Sequence, residues 1–125
     1  ITVTQNHILV DRDENGHYAL SASQLSHIPT AFICSRDSSA YQLLKILKEK
    51  NIRVPEDVSV VGYDNFVFMP VCDVAITTYG VDMPEMAKAA AERIIARVKG
   101  LDKGPGRLSI ISGSLIDGES VRALI

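Results

Sequence analysis

The feature that most limits the possible folds is an amphipathic helix pattern set between two short apolar runs. Residues 36–51, RDSSAYQLLKILKEKN, keep apolar side chains at Ala40, Leu43, Leu44 and Leu47, the spacing of one helix face. The flanking runs, TAFICS at 30–35 and VSVVGY at 58–63, are continuous apolar stretches typical of buried parallel strands. A strand, a helix and a second strand at these lengths predict a βαβ unit with a right-handed crossover.

The rest of the chain extends the same alternation. We expect a first strand over residues 7–10 that ends at Asp11, a helix over 14–26, a loop over 66–74, a fourth strand over 75–80, a helix over 83–99 and one or two short strands around Gly113. The predicted fold class is therefore α/β, a mainly parallel sheet with flanking helices.

Composition excludes several classes of protein. The chain has 125 residues, 46% of them hydrophobic, which fits one domain or subdomain. Its net charge of −2, without a basic run, argues against nucleic-acid binding by this chain itself. No apolar stretch reaches the roughly 18–20 residues of a membrane span, and the start lacks signal-peptide features. The missing initiator Met indicates part of a longer protein. No membrane partner is expected.

The cysteines and histidines give no sign of a metal site. Cys34 and Cys72 form no CxxC motif, and we interpret them as buried free thiols in a reducing cytosol. His7, His17 and His27 fit neither a helical nor a strand period, so surface or capping positions are expected. No metal and no cofactor is predicted.

Polar side chains follow three predicted strands at the point where each strand ends. Asp11 follows the first strand, Arg36 and Asp37 the second, and Asp64 with Asn65 the third. The carboxyl ends of parallel strands share one edge of a sheet, where open α/β folds bind ligands. Carboxylates, an Arg and an Asn together suit a small molecule rich in hydroxyl groups, such as a sugar.

Each of these residues also has an ordinary structural interpretation. Asp37 could cap the following helix, and Asp64 could form an Asx-turn with Asn65. Asp11 could be a solvated loop acid, and Arg36 could pair with Asp11, Asp37 or Asp64 whether or not a ligand binds. Motifs of nucleotide-binding folds, hydrolases and metalloproteases are missing from the sequence, so we expect no enzyme.

The middle of the chain resembles a known family. Residues 29–65, PTAFICSRDSSAYQLLKILKEKNIRVPEDVSVVGYDN, resemble a segment of the LacI/GalR-type transcriptional repressors, and RVPEDVSVVGYDN is the most specific part. ITTYGVDMPEMAKAAAERII and SGSLIDGES resemble later family segments, so the similarity runs from about Gly16 to Ser120. Asp11 stands where the family often has an aromatic ring, and Arg36 where it often has Asn.

The resemblance implies a periplasmic-binding-protein-like type I domain of a cytoplasmic regulator. Residues 1–125 would form the C-terminal part of an effector-binding domain, without the DNA-binding headpiece and the first half of that domain. It implies an effector, a sugar or sugar derivative, at Asp64, Arg36, Asp37 and Asp11, a homodimer, and operator DNA bound through the headpiece. The implied dimer contacts are Tyr41, Phe66, Phe68 and Met69; plain loop packing is the alternative for the segment 66–71.

Two further expectations follow from the resemblance. The helix over 83–99 would belong to the other subdomain of the family's fold, so its apolar face should be exposed here, to be covered by a second copy of the chain or by neighbouring molecules. A periplasmic sugar-binding protein of a transporter shares the implied fold and remains the alternative function.

Overall fold

The computed structural model describes residues 4–66 and 73–123 of the chain. Two 3₁₀ turns, Gln5–His7 and Ala22–Gln24, precede the main elements, which in chain order are β1 (Ala31–Ile33), α1 (Asp37–Glu49), β2 (Ser59–Asp64), β3 (Thr77–Val81), α2 (Met83–Val98) and β4 (Gly113–Ile116). The predicted strand over 58–63, strand over 75–80, helix over 83–99 and strand around Gly113 are confirmed to within one or two residues. Phe68 and Met69 lie outside the described residues.

The strands form one sheet in the order β1-β2-β3-β4. β1, β2 and β3 run parallel, and β4 pairs antiparallel with β3. Because β1 and β2 are parallel and α1 connects them, the βαβ unit is confirmed, as is the mainly parallel α/β fold class.

The core lies between α1 and the sheet. Leu47 and Ala40 of α1 have no exposed surface, and Val60 of β2, also fully covered, belongs to the same cluster. After Glu49, Asn51 adopts a left-handed φ of 58° and the Ile52 N–H donates to the Leu47 carbonyl at 2.9 Å, which ends the helix. The predicted amphipathic helix over 36–51 is confirmed.

The helix expected over 14–26 is wrong, and so is the strand over 7–10. The Asp13 carboxylate accepts hydrogen bonds from the N–H groups of Asn15 and His17 at 2.9 and 2.8 Å, which closes a tight turn. Gly16 takes the φ of +81° that this turn requires, and Arg12 then pairs with Tyr18 in an antiparallel bridge. Local side-chain hydrogen bonds thus replace helix formation. Before this turn, residues 8–10 pair with no described strand.

One face of the sheet is exposed at the carboxyl ends of its strands, which corrects the expectation of a buried strand over 30–35. Ile33 of β1 is 87% exposed, and Tyr63 and Tyr79 stack on the same face with ring centroids 5.8 Å apart. Alternate residues of a strand point to opposite faces, and α1 covers only the face that carries Phe32 and Val60.

α2 packs little of its apolar face, as expected. None of its residues is fully buried, and Ile94 and Val98 are 63% and 82% exposed. Its first turn is capped by the Asp82 carboxylate, which accepts from the Glu85 N–H at 2.9 Å. Among the described residues, no helix has the length and apolar character to cross a membrane.

Candidate functional site

The carboxyl end of β2 carries an unusual backbone. Asp64 and Asn65 have φ values of 95° and 51°, in the left-handed region that few non-glycine residues adopt. The Phe66 N–H donates to Asp64 Oδ1 at 2.8 Å, so Asp64 forms an Asx-turn, the structural alternative that the sequence left open. Its half-buried carboxylate reaches the edge of the sheet at the predicted place.

Asp37 is held inside the protein. It is 1% exposed, and its Oδ1 accepts a hydrogen bond of 2.7 Å from the Thr78 hydroxyl of β3. The N-cap residue of α1 is Arg36, whose side chain makes no capping bond, and Asp37 is the first residue inside the helix. The carboxylate of Asp37 therefore links the helix to the sheet.

The charge environment of Asp37 follows from this position. Burial raises the pKa of its carboxyl group, and the negative charge of Asp64 raises it further, whereas the bond from Thr78 and the backbone N–H groups of Tyr63 and Asn65 lower it. The net direction is upward, so the folded protein favours the protonated form of Asp37 more than the unfolded chain does.

Asp11 and Arg36 do not form the expected charged cluster. The Ser39 hydroxyl, in the first turn of α1, donates to Asp11 Oδ2. Arg36 is exposed and makes no ion pair with Asp11, Asp37 or Asp64 within the described part of the chain, so the predicted pairing is wrong. Arg36 is one of the residues that line a cavity.

This cavity has a volume of about 1210 Å³ and runs along the outer side of α1. At the strand tips it is lined by Arg36 and Asp64, with the aromatic rings of Tyr18, Tyr41 and Phe66 nearby. Two of the four predicted ligand contacts therefore line it, and Asp11 and Asp37 do not. The roles of all four as ligand contacts stay predictions.

Sequence reasoning missed Tyr18. The Arg12 guanidinium stacks on the Tyr18 ring at 4.1 Å from its centroid, and this holds the ring at the cavity wall. In the sequence, Tyr18 directly follows DENGH, a run typical of a turn. Because a helix was predicted there, the ring was not placed at a binding site.

The thiol of Cys34 lies close to both Asp11 and Asp37. Burial raises the pKa of its thiol to about 11, and the negative charges of Asp11 and Asp37 add to the effect. Within residues 4–66 and 73–123, no group of three or more His, Cys, Asp or Glu side chains is arranged to hold a metal ion.

Comparisons with known proteins identify the family of this chain. Residues 2–121 match the model of the periplasmic binding protein-like domain. The HTH-type transcriptional repressor PurR of Vibrio atlanticus is 34% identical over 105 residues, which cover 82% of this chain and 31% of that protein.

Two solved structures are similar in fold and sequence. A LacI-type transcription regulator from Bifidobacterium animalis subsp. lactis has a TM-score of 0.69 at 33% identity, over 76% of this chain and 34% of that one. A LacI family regulator from Arthrobacter sp. FB24, solved with lactose, has a TM-score of 0.66 at 26% identity, over 74% of this chain and 35% of that one. The chain thus spans about a third of these relatives, and it belongs to the periplasmic-binding-protein-like domain family, as an effector-binding region of the LacI/GalR type.

Proposed function

We propose that this chain is the effector-sensing region of a bacterial transcriptional regulator and that it binds a small polar molecule, a sugar or sugar derivative. Residues 1–125 would be the C-terminal part of the effector-binding domain, with the DNA-binding headpiece and the first half of the domain elsewhere in the full-length protein. The names of the relatives support regulation, and the lactose bound to the Arthrobacter regulator supports a sugar.

The observation that carries the proposal is the position of Asp64. Asp64, with its left-handed backbone, lines a cavity at the carboxyl end of a parallel strand, the usual ligand position in open α/β sheets. A carboxylate accepts hydrogen bonds from two hydroxyl groups, and Arg36 at the same cavity supplies donors. Tyr18 adds an aromatic face at the wall, so the cavity offers both polar contacts and a stacking surface.

Regulation would follow from a change of shape on binding. Effector bound at the strand tips favours one arrangement of the two halves of the domain, and that arrangement changes how paired headpieces meet operator DNA. A coupling of about 1–3 kcal/mol is typical of such switches. The acting unit would be a cytoplasmic homodimer without catalytic activity.

The dimer contact is proposed at Tyr41 and Phe66, which line the same cavity as Arg36 and Asp64, so a second copy would pack beside a bound effector. Tyr41 is half-buried there and Phe66 is 49% exposed, so both rings offer apolar surface to a second copy. Phe68 and Met69 belong to the proposed contact on the basis of the family resemblance alone.

Isothermal titration of the full-length protein tests the binding proposal. Wild type, Asp64→Ala and the control Asp117→Ala, an exposed acid outside the cavity, are titrated with lactose, D-ribose, glucose 6-phosphate and adenine. We expect one compound class to bind wild type and the control, and binding to Asp64→Ala to weaken by about tenfold or more, the cost of a lost charged hydrogen bond. Equal binding by all three proteins would mean that Asp64 serves only its turn.

A further inference from the structure

The buried carboxylate of Asp37 lies behind Asp64, on the protein side of the strand tip. Asp37 lies outside the cavity lining, and its burial disfavours the charged form of its carboxyl group. The Thr78 hydroxyl donates to it at 2.7 Å, and the backbone N–H groups of Tyr63 and Asn65 lie close enough to lower its pKa. Tyr63 and Asn65 are the residues directly before and after Asp64.

The sheet explains why the Tyr63 N–H lacks a strand partner on one side. The Ser59 N–H donates to the Thr30 carbonyl at 3.0 Å and the Val61 carbonyl accepts from the Cys34 N–H at 2.8 Å, so these residues of β2 direct their backbone groups toward β1. The period of two gives Tyr63 the same direction, and the left-handed φ of Asp64 then ends the extended strand. β1 ends at Ile33, too early to pair with Tyr63. The Asp37 carboxylate lies near this N–H, on the sheet face that carries Gly62 and Thr78.

Gly62 provides the space for this arrangement. A Cβ atom at residue 62 would lie 2.0 Å from Asp37 Oδ1, a separation that real structures do not contain. The φ of Gly62 is not in the left-handed region, so the glycine is required by the carboxylate and not by the backbone conformation. The carboxylate is thus seated directly on β2, beside Asp64.

We propose that Asp37 is a positioning residue, whose carboxylate, seated on β2 at Gly62 and bonded to Thr78 of β3, holds the backbone beside Asp64 and so fixes the left-handed turn at the cavity. This inference rests on the proposed function, in which Asp64 contacts the effector. It also explains why an acid is needed at residue 37 although it lies away from the ligand, because a carboxylate has acceptor sites for the Thr78 hydroxyl and for the nearby backbone N–H groups.

The test measures the backbone of Asp64 by NMR without any ligand. A residue with positive φ gives a strong cross-peak between its own amide and α protons, because the two protons are close. We expect this strong cross-peak for Asp64 and Asn65 in wild type and its fall to the level of extended residues in Asp37→Ala. Gly62→Ala should have the same effect, since it displaces the carboxylate without removing it.

The matched control is Ser120→Ala, which removes a different buried side chain bonded to the same sheet. Ser120 Oγ accepts from the Thr77 N–H at 2.8 Å and has no exposed surface. This variant should lose stability but keep both strong cross-peaks. Retained cross-peaks in Asp37→Ala and Gly62→Ala, or their loss in Ser120→Ala, would overturn the proposal.

The design separates this inference from the proposed function. Should Asp37→Ala not fold, Asp37→Leu, which removes both acceptor oxygens, and Gly62→Ala carry the same comparison. If the cross-peaks respond as expected while the titrations show equal binding by wild type and Asp64→Ala, the positioning holds and the effector site is wrong. If the cross-peaks do not respond, Asp37 is no positioning residue, whatever the titrations give.

Discussion

Replacing Thr78 with valine should weaken the fold by an amount that depends on pH. Thr78 is 2% exposed, and its hydroxyl is 2.7 Å from Asp37 Oδ1. Valine has nearly the same shape, so no large cavity forms and the main loss is one hydrogen bond to a charged group, about 1.5–3 kcal/mol. We expect the free energy of unfolding to fall by about 2 kcal/mol near neutral pH, from that same range.

The pH dependence follows from the raised pKa of Asp37. Since the folded pKa lies above the value of 3.8 for an unperturbed Asp, stability linked to this group is fully present below 3.8 and is lost as pH rises through the folded pKa. The hydroxyl of Thr78 reduces that loss by stabilising the ionised form. The cost of Thr78→Val should therefore be larger above the folded pKa of Asp37 than below it, where a neutral hydrogen bond of about 0.5–1.5 kcal/mol is lost.

Urea unfolding followed by tyrosine fluorescence measures this effect, because the chain has four Tyr and no Trp. Wild type, Thr78→Val, Asp37→Asn and the double variant are compared between about pH 4 and pH 8. In the Asp37→Asn background the cost of Thr78→Val should become small and independent of pH. A cost of Thr78→Val below about 0.5 kcal/mol in the wild-type background would refute the assigned bond. A cost that is the same at every pH in both backgrounds would also refute it.

Three further predictions concern other parts of the molecule. Leu47 is fully buried, so Leu47→Ala should lower the free energy of unfolding by about 2–5 kcal/mol, whereas the same change at the exposed Lys48 should cost much less in the same urea assay. Cys34 has a thiol pKa of about 11, so in a Cys72→Ser background the folded protein should react with iodoacetamide at pH 8 about two orders of magnitude more slowly than the protein unfolded in urea. Equal rates in the two states would contradict the burial of Cys34. The apolar dye ANS should bind the exposed face of α2, so the double variant Ile94→Glu, Val98→Glu should lower the dye's fluorescence, whereas the control Lys88→Glu should not. Unchanged fluorescence in the double variant would mean that the dye binds elsewhere.

The parts of the fold that sequence patterns predicted are those in which local pattern and tertiary packing agree. α1 has a clean apolar period, and β2 is a run of β-formers that the core covers, so both elements lie close to their expected bounds. The helix predicted around Asp13 was wrong because that segment carries both a helical apolar spacing and residues that favour a turn. Two hydrogen bonds to the Asp13 carboxylate stabilise the turn.

The candidate site was predicted less completely, for a different reason. Sequence order identifies which residues follow a strand, so Asp64 and Arg36 could be placed at the cavity. It does not show how far each strand extends. β1 stops three residues before Arg36, Asp37 lies against the sheet in the first turn of α1, and Arg36 makes no ion pair with a carboxylate in the described structure.

The exposure of α2 bears on how the chain unfolds. A helix of 16 residues that buries none of them fully takes most of its stability from its own composition, its Asp82 cap and its left-handed Gly100 end. We expect melting of such a helix and unfolding of the sheet to be separate equilibria, and since every Tyr lies outside α2, the urea assays above report the sheet and its core. The backbone amides of α2 should exchange with solvent through local fraying, long before the core around Leu47 opens. In the full-length protein that we propose, an element that covers α2 would convert these independent events into one cooperative transition.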